Sequence, residues 1–331
     1  MSKQQNNRKK PAPPNQYKPT RLPIGPDLSL EIAGVRFKNP VIAASGTFGF
    51  GQEYAELFDV SCLGGICTKG LTLKPRPGNN GKRIWETPAG MLNSIGLENP
   101  GIEKFLENEL PRMPKGPVII ANLSGSTIED YTAGAALLNN SSVDMIELNI
   151  SCPNVKAGGM AFGLDPQTAA SVVEPVRRAC TNKPLMVKLS PNAPDLNAVA
   201  LSCVNAGADA LSLVNTFKGM AIDIKNRKPV FDNISAGLSG PAIRPIALRM
   251  IWELFAVLNE DEGKPGVPII GMGGITNTND ALEFLMAGAT AIQVGTANFV
   301  NPLVMPEIIE GIKNYMSELG LKKISEISIR N

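Results

Sequence analysis

Short apolar runs punctuate the chain from residue 39 onward. Eight stand out: "NPVIAASG" (39–46), "GGICTKG" (64–70), "PVIIANLSG" (117–125), "MIELNIS" (145–151), "PLMVKLS" (184–190), "ADALSLVNT" (208–216), "VPIIGMGGI" (267–275) and "AIQVGTA" (291–297). Most are too short for helices, carry Val, Ile and Leu, and alternate little. Strands buried on both faces, as in a parallel sheet, read this way. Helical segments lie between them. "DPQTAASVVEPVRRAC" runs from Asp165 to Cys180, "DLNAVALSCVNAG" from an Asp195 cap to Gly207, and "TNDALEFLMAG" from near Thr278 to Gly288. An apolar face, then Gly, then a new strand marks a helix stop. Pro241 and Pro245 bracket the start of a helix in "AIRPIALRMIWELFAVL", where proline is tolerated in the first turn.

Eight strand–helix units predict an α/β fold, a (β/α)8 TIM barrel. A doubly wound open sheet is the runner-up, but no GxGxxG follows the first strand. The stretch from 71 to 116 is too long for a plain connection and predicts a functional excursion over the barrel mouth. Residues 218–237 read as a second insertion with a small hairpin around "NRKPVFDN". Both are loop insertions over the C-terminal face.

Composition fits this picture. Of 331 residues, 43% are hydrophobic and 19% charged, as in a globular domain with a sizeable core. Net charge is +2, but six basic residues and no acid fall in residues 1–26, so the remainder is acidic. The organisation predicted is a flexible, basic, Pro-rich arm (1–26) followed by one barrel domain (27–331). The acidic remainder argues against nucleic acid as a partner. The arm lacks the apolar stretch of a secretory signal, and no run of about 18 apolar residues suggests a membrane span. Five irregularly spaced cysteines favour free thiols in a reducing cytoplasm over disulfides. Cys62 and Cys67 read as strand-flanking thiols rather than a metal site. Cys180 and Cys203 read as core.

In such barrels chemistry sits where strands end. The strand ends read Ser45-Gly46, Thr68-Lys69-Gly70, Asn122, Asn149, Lys188, Asn215-Thr216, Gly273-Gly274 and Gly295-Thr296. Three amides that both donate and accept, with two lysines, predict one ligand pocket. "GMGGIT" and "GTANF" after strands seven and eight, with "GLSGP" upstream, predict a phosphate site of backbone N–H groups. Flavin mononucleotide suits this set, because its ring alternates donors and acceptors and a lysine stabilises its reduced anion. A phosphorylated substrate suits the same loops. That leaves open a Schiff-base lyase with Lys69 or Lys188 as the amine.

"ELNISCPN" (147–154) with "KAGGMAFG" (156–163), "TKGLTLKPRPGN" (68–79), "MLNSIGLENPG" (91–101), "VNTFKGMAIDI" (214–224) and "GLSGPAIRPIAL" (237–248) resembles the dihydroorotate dehydrogenases, and within them the class 1B catalytic subunit. The resemblance runs from about residue 28 to the C-terminus. It implies one FMN per chain and oxidation of (S)-dihydroorotate to orotate in pyrimidine biosynthesis. Cys152 is then the base that takes the C5 proton, while the C6 hydride goes to FMN. Implied substrate contacts are Lys69, Asn93, Ser94, Ile95, Gly96, Leu97, Asn149, Asn154, Asn215 and Thr216. Implied flavin contacts are Ser45, Lys69, Gly70, Asn122, Asn149, Lys188, Val214, Gly240, Gly273, Gly274, Gly295 and Thr296. No metal ligand is implied in this chain.

Class 1B further implies a homodimer within a heterotetramer, whose partner subunit carries FAD and a [2Fe–2S] cluster and passes electrons to NAD. The alternative is a class 1A homodimer using fumarate. A related flavin enzyme acting on dihydropyrimidines, and a scaffold working through the basic arm, are further readings. Lys218 and Ala236 depart from the family pattern, which has an apolar residue and a glycine there.

Overall fold

Residues 25–151, 162–259 and 266–330 are described by the computed structural model. Each of the eight apolar runs contains one strand of a closed parallel barrel. In chain order these are β1 (Val41–Ala43), β2 (Gly65–Cys67), β3 (Val118–Leu123), β4 (Met145–Asn149), β5 (Leu185–Lys188), β6 (Ala210–Leu213), β7 (Ile269–Met272) and β8 (Ala291–Val294). Each pairs with its sequence neighbour, and β8 closes onto β1 with Gln293 opposite Ile42.

The little alternation in these runs has a physical reason. Side chains alternate between two faces, and both faces are buried. One row, including Val41, Ile66, Ile146, Leu148, Val187 and Leu211, packs outward into the core beneath the helices. The other row points into the barrel. At its lower end Ile42, Ile120, Met145, Met186, Ala210, Ile270 and Ala291 form a separate cluster. A hairpin of strands Leu30–Ile32 and Val35–Phe37 closes that end with Ile32 and Phe37. Phe37 is fully buried; burial of such a side chain stabilises by about 1.5–3 kcal/mol.

The helices cover the barrel. α1 (Ile128–Asn139) is capped by the Thr127 side chain, which accepts from the Asp130 N–H. α2 (Pro166–Ala179) is capped by Asp165 and has proline in its first turn. α3 (Leu196–Asn205) is capped by Asp195. α4 (Arg244–Leu258) follows a short 3-10 turn, Pro241–Ile243. α5 (Thr278–Met286) is capped by Asn277, and α6 (Val304–Leu319) ends on Gly320 in the left-handed conformation. Each side-chain cap satisfies an amide that the helix itself leaves unpaired.

The two insertions combine. Strands Ile84–Thr87 and Gly90–Asn93 from the first pair with Ser235–Ser239 and Phe217–Met220 from the second, in one four-stranded antiparallel sheet. The expected hairpin is present as Ile222–Asp223 against Lys228–Pro229. Phe231 and Leu92 anchor a small core beneath the sheet. Ala236 packs in that core, and Lys218 is exposed on the partner strand. Both departures thus fall on the insertion sheet.

Candidate active site

The inward row changes character toward the C-terminal end of the strands. On β4 it reads Met145, Glu147, Asn149, from apolar to charged to amide. The neighbouring strands add Lys188, Ser212, Gln293, Asn122 and Cys67, all buried.

Glu147 is the centre of this layer. Its Oε1 accepts from Asn122 Nδ2 at 2.6 Å and Cys67 Sγ at 3.1 Å. Its Oε2 accepts from Ser212 Oγ and Gln293 Nε2, each at 2.8 Å. Lys188 Nζ lies 3.8 Å from Oε1 and donates to Ser45 Oγ at 3.2 Å. Five strands therefore converge on one carboxylate of a sixth. Burial pushes the Glu147 carboxyl up, but Lys188 and the bonds from Cys67, Ser212 and Gln293 outweigh it and hold it below the ordinary range. Burial, followed by the Glu147 charge, drives the Cys67 thiol well above its usual value, so Cys67 stays a neutral donor.

Above this layer lies a cavity of about 260 Å³. Ser45, Lys69, Gly70, Asn122, Asn149, Lys188, Val214, Asn215 and Thr216 line it from the strand ends. Gly240, Gly273, Gly274, Gly295 and Thr296 line its glycine-rich end, while Asn93, Ile95, Gly96 and Leu97 reach it from the first insertion. Ser94 is the exception within that loop. It is buried away from the cavity, where its hydroxyl accepts from Asn79 and Asn233. Cys152 and Asn154 lie outside the described residues.

The polar residues fix one another. Asn149 Oδ1 accepts from Ser151 Oγ at 2.7 Å and from Asn215 Nδ2 at 3.4 Å, and Asn215 also donates to Ser151. Tyr131 on α1 donates to the Asn149 carbonyl at 2.8 Å, locking the end of β4. Asn215 Oδ1 accepts from the Thr216 N–H at 2.8 Å. At the mouth, Glu98 pairs with Arg83 at 2.8 Å and Lys69 at 3.9 Å, tying the first insertion to β2. Gly274 has φ +78°, and a Cβ there would meet Arg244 and the Gly240 carbonyl at 2.8 Å. The chain can turn this tightly beside the cavity only as glycine.

Glu147, Ser212, Gln293, Arg83 and Glu98 were not singled out by the sequence pattern. A signal was there for the first three, since each is a polar residue inside an otherwise apolar run. Burial raises the pKa of the thiols at Cys62, Cys180 and Cys203, the last to about 12. Cys180 and Cys203 are buried, structural cysteines, and Cys62 is half-buried. No cluster of three metal-ligating side chains occurs among the described residues.

The sequence model of the dihydroorotate dehydrogenase family matches residues 27–316, nearly the whole barrel. The chain belongs to the dihydroorotate dehydrogenase family. A Petrotoga mobilis protein named dihydroorotate dehydrogenase B (NAD(+)), catalytic subunit, is 58% identical over 302 residues, covering 91% of this chain and 98% of that protein. Proteins of the same name from Geotalea daltonii and Caldicellulosiruptor bescii are each 52% identical, covering 91% of this chain and 97% and 98% of theirs. This likeness spans both insertions and the strand-end cavity. Among the described residues, no helix is long and apolar enough to cross a membrane.

Proposed function

We infer that this chain is the catalytic subunit of an NAD-linked, class 1B dihydroorotate dehydrogenase, which oxidises (S)-dihydroorotate to orotate in pyrimidine biosynthesis. The observation that carries this reading is the cavity itself. One end is a glycine-rich cradle, the inner wall is a layer of amides and a lysine, and the mouth is covered by the insertion sheet. Family membership selects an oxidoreductase over the Schiff-base lyase.

FMN fits the residues present. Asn122 Oδ1 and Gln293 Oε1 are buried without a hydrogen-bond partner among the described residues, although both residues line the cavity. A ring N–H in the cavity would satisfy such acceptors, whose isolation otherwise costs free energy. Gly240, Gly273, Gly274, Gly295 and Thr296 would hold the phosphate through backbone N–H groups. Ser45, Lys69, Gly70, Asn122, Asn149, Lys188 and Val214 would hold the ring. When bound, FMN supplies a two-electron acceptor for the hydride leaving C6.

The remaining chemistry belongs to the chain's own side chains. Asn93, Asn149, Asn154 and Asn215 read the amide edges of the planar substrate, and Thr216 closes the set. Lys69 faces the substrate's negative charge, while Ile95, Gly96 and Leu97 shape the pocket wall. Cys152 takes the C5 proton as thiolate.

The catalytic domain is assigned to residues 27–331; residues 1–24, most of the expected arm, lie outside the described residues. The relatives' name, catalytic subunit, implies a partner subunit. We assign to that partner the FAD and [2Fe–2S] cluster, in a cytoplasmic heterotetramer built on a homodimer of this chain. Co-purification from the native source tests this. A stoichiometric iron–sulfur flavoprotein with NAD-dependent activity is expected. A lone homodimer reducing fumarate contradicts it and moves the chain to class 1A.

A further inference from the structure

Among the described residues, Glu147 is the one fully buried carboxylate in the layer beneath the cavity, and the proton abstraction assigned above makes no use of it. Being ionised, it can only accept. That settles which way its amide neighbours face: Asn122 and Gln293 must each turn an N–H toward it, at 2.6 and 2.8 Å. Their carbonyl oxygens are then the atoms left without partners. Lys188 is drawn to the same carboxylate, 3.8 Å away. Two of the donors to Glu147, Cys67 and Ser212, do not themselves line the cavity, and their side chains bond to this carboxylate.

We propose that Glu147 is a positioning residue for the ring of the bound flavin: by taking the N–H donors of Asn122 and Gln293 it commits their carbonyl oxygens to an N–H of the ring, and by facing Lys188 it holds a cation beside them. The inner wall is thereby pre-set as acceptor, acceptor and cation before any ligand arrives. An amide at position 147 destroys this setting. Glutamine there must donate to one neighbour, which forces that neighbour to turn an N–H outward in place of an acceptor. The proposal rests on the flavin reading above.

The test measures binding to the full chain stripped of flavin, with FMN and with N3-methylated FMN as probes. Wild-type protein is expected to bind FMN and to discriminate against the N3-methyl analogue. Glu147→Gln is expected to bind FMN about tenfold more weakly and to lose most of that discrimination, because an oriented acceptor has been replaced by a donor. Ser212→Ala, which removes a bond to Glu147 and does not itself line the cavity, is expected to shift both quantities in the same direction by less. It also carries the test should Glu147→Gln not fold. The thermal melt of the flavin-free proteins separates this from a merely structural role. A fall in melting temperature with discrimination unchanged overturns the proposal. So does wild-type protein that binds both flavins equally well. Wild-type protein that takes up neither flavin overturns the flavin reading instead.

Discussion

Lys188 Nζ stands 3.8 Å from Glu147 Oε1, with the two side chains only 6% and 0% exposed. A buried pair of this kind is most costly when half of it is removed, since the remaining charge has no solvent to turn to. Lys188→Met is therefore expected to destabilise the flavin-free protein by about 3–5 kcal/mol in chemical denaturation. A loss within about 0.5 kcal/mol, typical of a surface change, would show that the pair contributes little.

The same pair sets an acid limb on stability. The Glu147 carboxyl is held below the ordinary glutamate value of 4.5 in the folded state. The unfolded chain therefore binds the proton first as pH falls, and stability rises with pH through that window. Glu147's contribution is fully present above about 4.5 and is lost as pH drops toward the lower folded value. Glu147→Gln removes the titrating group, so its denaturation midpoint is expected to fall less steeply with acid. Parallel acid limbs in the two proteins would contradict this.

Gly274 offers a test of the cradle. An L-residue at φ +78° costs about 1–2 kcal/mol from backbone sterics alone, and the added Cβ would also press on Arg244 and the Gly240 carbonyl at 2.8 Å. Gly274→Ala is expected to weaken FMN retention at least about tenfold, measured by release of flavin fluorescence on dilution. Unchanged retention would place the phosphate elsewhere.

Much of this could be read from the sequence because the signals were local. Each barrel strand announced itself as an apolar run, and Asp165 and Asp195 marked their helices as caps. Proline after residue 240 marked a third helix start. Helices α1 and α6 were not singled out. In α1 the stretch "TAGAALL" is apolar and small-residued on most sides, so no polar stripe marks it. The insertion sheet was visible only as excess length, because Leu92 pairs with Leu238 across four intervening barrel strands. The cavity residues at strand ends, such as Lys69, Asn122, Asn149 and Lys188, were legible from position, while Val214 and the insertion residues Asn93, Ile95, Gly96 and Leu97 were legible only through the family resemblance. Glu147 was not, since its role depends on Cys67, Asn122, Lys188, Ser212 and Gln293, brought in from five other strands.

The base assignment makes a separate prediction. Cys152→Ala is expected to abolish turnover while FMN stays bound. Cys152→Ser is expected to keep a trace of activity only at raised pH, because a hydroxyl is a far weaker acid than a thiol. Near-normal turnover in Cys152→Ala, measured as orotate formed, would remove Cys152 from the role.

The most direct measurement is anaerobic mixing of the FMN-loaded chain with (S)-dihydroorotate, following the flavin's visible absorbance. The predicted result is bleaching of the yellow colour with one orotate formed per flavin, and no bleaching with dihydrouracil. Bound flavin that dithionite reduces but dihydroorotate leaves oxidised would contradict the account.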